Sequence, residues 1–183
     1  AALAAGSWTF PGDVLTRAAA PAQGEYWLVA PAASPPGPFA VVAEIAVDPP
    51  AETACGASYG LVVNAQAVVW GAGIAFPCGE GGEPVARISD IANPADGYAA
   101  DRVIRQKPAG IDPAGWHTLR LEVRGNDLRL FIDGEIALKA EDPLLWDADA
   151  SPPLSVGLWS DGLQTQVRRL SIYPIDPAAR LIP

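Results

Sequence analysis

Between His117 and Val123 the chain alternates strictly, Leu119, Leu121 and Val123 against Thr118, Arg120 and Glu122. A period of two places successive side chains on opposite faces, so this stretch predicts a strand with one face buried. Gly125-Asn126 supplies the positive φ angles of a tight hairpin, and Leu128, Leu130 and Ile132 then resume the alternation against Arg129, Phe131 and Asp133. Asp133-Gly134 is a second hairpin signal and leads into Glu135 to Ala140, with Ile136 and Leu138 on one face. Three consecutive antiparallel strands make a meander. Leu154 to Ser160 follows, with Leu154, Val156 and Leu158 inward, and then Val167 to Ile175, with Leu170 and Ile172 inward.

Upstream, Phe39 to Val47, Ser58 to Asn64, Val68 to Phe76 and Val85 to Ile91 are predicted strands separated by Pro, Gly and Asn clusters, and Trp8 to Phe10 and Glu25 to Ala30 are weaker candidates. No segment sustains an apolar period of 3.6, and only Leu144 to Ala148 offers a single helical turn. About ten strands with turns at short intervals predict an all-β fold of two antiparallel sheets packed as a sandwich. The inter-sheet core is expected to hold Trp116, Leu119, Leu121, Val123, Leu130, Ile132, Val156, Leu158 and Leu170. Residues 92–113, with Asn93-Pro94, Asp96-Gly97, Pro108, Gly110 and Pro113, predict a long irregular loop that could rim a binding site.

Length and composition narrow the picture. A chain of 183 residues fits one sandwich domain over 1–183, and 19 prolines with 18 glycines argue for turns rather than helices. A net charge of −9 repels phosphate backbones, so nucleic acid is not an expected partner. No uncharged apolar run approaches the roughly 18 residues a membrane span requires, and none is expected. Methionine is absent and cysteine occurs only at Cys55 and Cys78, which suits an oxidising, extracellular compartment. A hairpin centred between Gln66 and Ala67 would set Tyr59 opposite Ile74, Val63 opposite Trp70, and Cys55 opposite Cys78, so a disulfide is expected there.

The run from Gly115 to Asn126, followed by Leu130-Phe131-Ile132-Asp133-Gly134-Glu135, resembles the W-x-x-L-x-V-x-x-x-G-N signature and its trailing D/N-G-E of laminin-G-like domains. Val156-Gly157-Leu158-Trp159 is similar to the G-x-V-G-L strand of that group, and Val167 to Ile172 to its closing strand. Ser58-Tyr59-Gly60-Leu61-Val62 is similar to a Y-G-L-V-F strand in the bacterial branch related to keto-disaccharide hydrolase domains. The resemblance covers about residues 39–175 and implies a jelly-roll sandwich of the concanavalin A-like lectin/glucanase superfamily. Its members bind carbohydrate, surface proteins or calcium, serve as non-catalytic appendages, or hydrolyse glycosides, so the resemblance leaves activity open.

Catalytic chemistry finds little to use. Retaining glucanases of this scaffold carry E-x-D-x-E on one strand, which sets two carboxylates about 5 Å apart, and no such run occurs here. Asp133 and Glu135 bracket a turn, while Glu141 and Asp142 are adjacent. His117, the single histidine, opens a strand with an expected outward parity and has no companion ligands for zinc. There is no G-x-S-x-G elbow for a serine nucleophile. Calcium is left open by Asp142, Asp147, Asp149 and Asp161, all in predicted loops, because hard cations take several oxygen ligands.

Aromatic parity suggests a ligand face instead. With Val156 and Leu158 inward, Trp159 is expected outward beside Gly157, a flat platform for a sugar ring, with Trp146 and Asn64 as neighbours. Trp70 shares parity with Ile74 and Phe76, leaving Gly71, Gly73 and Ala75 on a low-relief opposite face. The expected function is an extracellular, non-catalytic recognition module for a glycan or a cell-surface partner. A glycoside-acting enzyme and a self-associating structural subunit of a surface layer or filament are the alternatives.

Overall fold

The computed structural model describes residues 8–9, 15–17, 26–27, 34–48, 56–65, 68–78, 83–91, 102–112, 115–141, 155–161 and 163–176. The described strands are β1 (Trp8–Thr9), β2 (Leu15–Arg17), β3 (Tyr26–Trp27), β4 (Phe39–Val47), β5 (Ser58–Ala65), β6 (Val68–Ala75), β7 (Val85–Ile91), β8 (Arg102–Pro108), β9 (Gly115–Arg124), β10 (Asp127–Ile132), β11 (Glu135–Glu141), β12 (Ser155–Asp161) and β13 (Thr165–Pro174). They form a seven-stranded sheet, β1-β2-β13-β4-β9-β10-β11, and a six-stranded sheet, β3-β12-β5-β6-β7-β8. Every pairing is antiparallel. No helix occurs among the described residues, and none there is long and apolar enough to cross a membrane. The architecture is the expected jelly-roll sandwich.

The core follows the alternation. From the larger sheet it takes Val41, Ile45, Leu119, Leu121, Val123, Leu128, Leu130 and Ile132, and from the smaller one Tyr59, Leu61, Val63, Trp70, Ile74, Ile88, Val156 and Leu158. Leu121 is wholly buried, so truncation to alanine is expected to cost about 2 to 5 kcal/mol.

Three departures from the expected pattern have definable causes. Trp116 leaves the core because its parity is that of Thr118, Arg120 and Glu122; its ring lies on the outer face of the larger sheet, with the Arg168 guanidinium 4.2 Å from the ring centroid. A bulge in β10–β11 pairs Leu130 with Leu138 but Phe131 with Ile136, which turns Ile136 outward to 39% exposure. A second irregularity between Arg168 and Ser171, with Arg169 at φ 55°, brings Val167 fully into the core while Leu170 and Ile172 pack against it half-buried.

The irregular stretch 92–113 is also corrected, since it contains β8, paired along β7 as the rim of the smaller sheet. Its described side chains from Arg105 to Pro108 are exposed, the composition by which an edge strand resists pairing with another chain. β2, which carried no readable alternation, pairs with β13.

Candidate functional site

β8 and β11 are edge strands of opposite sheets, and they approach each other along one flank of the sandwich. A cleft of about 600 Å³ opens there, lined by Arg105 of β8, Asp127 and Arg129 of β10, and Lys139, Ala140 and Glu141 of β11. The charged residues of β10 and β11 reach it by strand parity. Leu128, Leu130, Leu138 and Ala140 are buried, so Asp127, Arg129, Lys139 and Glu141 share the opposite, outer face.

Register makes this group unusual. Across the β10–β11 pair Asp127 stands opposite Glu141, and Arg129 stands opposite Lys139. Like charges directly opposite each other across a sheet are destabilising, so this pairing is not one that fold stability alone would favour. Relief runs along the strand instead: both Nε and Nη2 of Arg129 donate to Asp127 Oδ2, at 2.7 and 2.5 Å. Arg105, Lys139 and Glu141 are exposed, and no ion pair joins them to another described residue. The cleft thus offers N–H donors from three cations and acceptor oxygens from two carboxylates, the mixture that hydroxyl-rich ligands require.

The tryptophan expectation is corrected in part. Trp159 has the parity opposite to Leu158, yet it is only 6% exposed, and its Nε1–H donates to Ser58 Oγ at 3.0 Å. A ring so covered presents no open stacking face. Asn64 pairs with Ser155, whereas Trp159 pairs with Gly60, so the two positions lie about 13 Å apart along the strands. The structure does not bring them together. Trp146, Asp142, Asp147, Asp149 and Cys55 lie outside the described residues.

Asp161 closes β12, and no group of three or more His, Cys, Asp or Glu residues capable of holding a metal occurs among the described residues. His117 is corrected as well, because it shares the parity of Leu119 and its side chain is 11% exposed. Its Nδ1 lies 2.7 Å from Asp133 Oδ2, and its Nε2–H donates to the Asp112 carbonyl at 2.7 Å. Asp133 Oδ1 in turn accepts from the Thr118 amide at 2.8 Å. The histidine therefore pins the β10–β11 turn to β9.

No family model and no curated protein matches the chain. Solved structures do. The carbohydrate binding module CBM66 from Bacillus subtilis aligns at a TM-score of 0.57 and 12% identity, over 92% of this chain and 90% of that one. A functionally unknown protein from Saccharomyces cerevisiae aligns at 0.63 and 15% identity, over 94% and 98%. CG-16, a homodimeric agglutinin from chicken liver, aligns at 0.52 and 10% identity, over 79% and 97%. At such identities the likeness establishes a shared sandwich fold.

Proposed function

We propose that this chain is an extracellular carbohydrate-recognition module whose ligand lies in the cleft between β8 and β11. The observation that carries the proposal is the facing of like charges, Asp127 with Glu141 and Arg129 with Lys139, around a cavity that can take a sugar unit. Two structural neighbours, a carbohydrate binding module and an agglutinin, support it at the level of the fold. The resemblance to laminin-G-like and keto-disaccharide hydrolase-related domains, and secretion with a Cys55–Cys78 disulfide, belong to the same proposal. In it Trp159 serves the smaller sheet, and calcium, if bound, would involve Asp161 and the acidic residues at 142–149. A glycan array probed with wild type and with an Arg105→Ala, Lys139→Ala double variant tests it. Glycan signals lost in the double variant support the site, and a blank array with wild type counts against the function.

One observation favours a second reading, a glycoside-acting enzyme. Directly opposed residues set their Cβ atoms about 5 Å apart, close to the carboxyl spacing of a retaining pair, and Asp127 and Glu141 are directly opposed. Asp127, however, already accepts two hydrogen bonds from Arg129 on one oxygen, which favours a binding role over a nucleophile. Release of reducing ends from a polysaccharide panel, abolished by Glu141→Gln, would promote this second reading.

A further inference from the structure

We infer that the ligand of this cleft is an acidic glycan, one whose sugar units carry carboxylate or sulfate groups. The inference rests on the proposed carbohydrate-binding function and narrows its substrate class. Neutral pyranoses are ordinarily held by stacking on an aromatic face plus a few hydrogen bonds, and no aromatic side chain is among the described residues that line this cleft. What the described residues contribute is polar contacts, which are strongest when one partner is charged.

The charge balance points to an anion. Arg129 is neutralised by Asp127, leaving Arg105 and Lys139 against Glu141, so the described lining residues carry an excess of positive charge in a chain whose net charge is −9. The two uncommitted cations come from different sheets, Arg105 from β8 and Lys139 from β11, and they flank the opening from both sides. A guanidinium on one wall can take a carboxylate or sulfate in a bidentate contact while the ammonium on the other acts as a point charge. Glu141 and the remaining Asp127 oxygen then accept hydrogen bonds from hydroxyls of the same or the next sugar. Such a site would reject nucleic acid through the acidity of the rest of the chain, while tolerating a flexible polyanion one unit at a time.

Calorimetric titration of the intact chain with oligogalacturonate, a heparin oligosaccharide and the carboxyl-reduced, neutral counterpart of the first tests the inference. Wild type is expected to bind one of the acidic probes at least about tenfold more tightly than the neutral one, with affinity falling as salt rises. Arg105→Gln and Lys139→Gln should each remove most of that preference, while Arg169→Gln on the far side of the larger sheet should leave it unchanged. Equal binding of acidic and neutral probes, or tighter binding of the neutral one, would overturn the anionic ligand but leave glycan recognition standing. A preference that survives both Gln substitutions would overturn the placement in this cleft. Binding of no probe, with an array also blank, would overturn the underlying function.

Discussion

Gly60 and Gly73 face each other across the β5–β6 pair so closely that a Cβ on Gly73 would stand 2.0 Å from the Tyr59 carbonyl oxygen, and one on Gly60 would stand 2.8 Å from Cζ3 of Trp159. The backbone and the indole leave no room for a side chain at either position. Gly60→Ala and Gly73→Ala are each expected to destabilise the fold by about 1 to 3 kcal/mol, and Trp159→Ala by about 3 to 5 kcal/mol. Urea denaturation checks this, and a Trp159→Ala variant with unaltered stability would return that ring to the list of ligand contacts.

Tyr59 is buried between the sheets, and its hydroxyl has no hydrogen-bond partner among the described residues. Burial, with a smaller contribution from the Asp133 charge, pushes the phenol far above its ordinary pKa of 10.0. A buried, unpaired hydroxyl costs free energy that phenylalanine does not incur. Tyr59→Phe is therefore expected to raise stability by about 1 kcal/mol, and a loss of similar size would reveal a partner for the hydroxyl.

Glu44 accepts hydrogen bonds from Arg168 and, at 2.8 Å, from Arg169. The bond from Arg168 is the main reason its carboxyl is held below the usual 4.5. The unfolded chain therefore takes up this proton at a higher pH than the folded one. Its contribution to stability is complete above the unfolded value and is lost as pH falls through the folded one. Glu44→Gln should flatten the acid limb of the stability profile below about pH 5, and identical limbs in both proteins would remove Glu44 from the account.

The hairpin register of β5–β6 is the expected one, Tyr59 opposite Ile74 and Val63 opposite Trp70; just beyond the strands Phe76 accepts from Gly56 N and donates to Ala57 O, both 2.8 Å, so two residues oppose one and the register slips by one at Gly56, φ 87°. The proposed pairing of Cys55 with Cys78 starts from the hairpin register alone, since Cys55 lies outside the described residues. A disulfide there is expected to stabilise the fold by roughly 3 kcal/mol. Thiol labelling of the non-reduced protein should find no free cysteine, and two labelled thiols would contradict the pairing.

These results show which parts of the molecule the sequence made legible. Alternation over His117 to Val123 and Leu128 to Ile132, with glycine turns between, identified the meander because a period of two has one structural solution. Parity misled wherever a bulge intervened, as at Ile136, since an extra residue reverses the face of everything beyond it. The outward direction of Trp159 was legible, but its burial was not, because cover on an outer face comes from segments distant in sequence. The cleft was nearly silent. Its residues are scattered over β8, β10 and β11 without a motif, and Asp127 meets Glu141 only through a bulged hairpin register. The one signal was the length of the 92–113 stretch, which contains Arg105.

The central claim is that glycan binds between β8 and β11. The most direct test follows backbone amide resonances of the isotope-labelled chain as the array-positive glycan is added. Shifts are predicted to concentrate at Arg105, at Asp127 to Arg129 and at Lys139 to Glu141, and to vanish in the Arg105→Ala, Lys139→Ala variant. Shifts centred instead on Ser58 to Val62 and Trp159, or on Trp116 and Arg168, would contradict the claim.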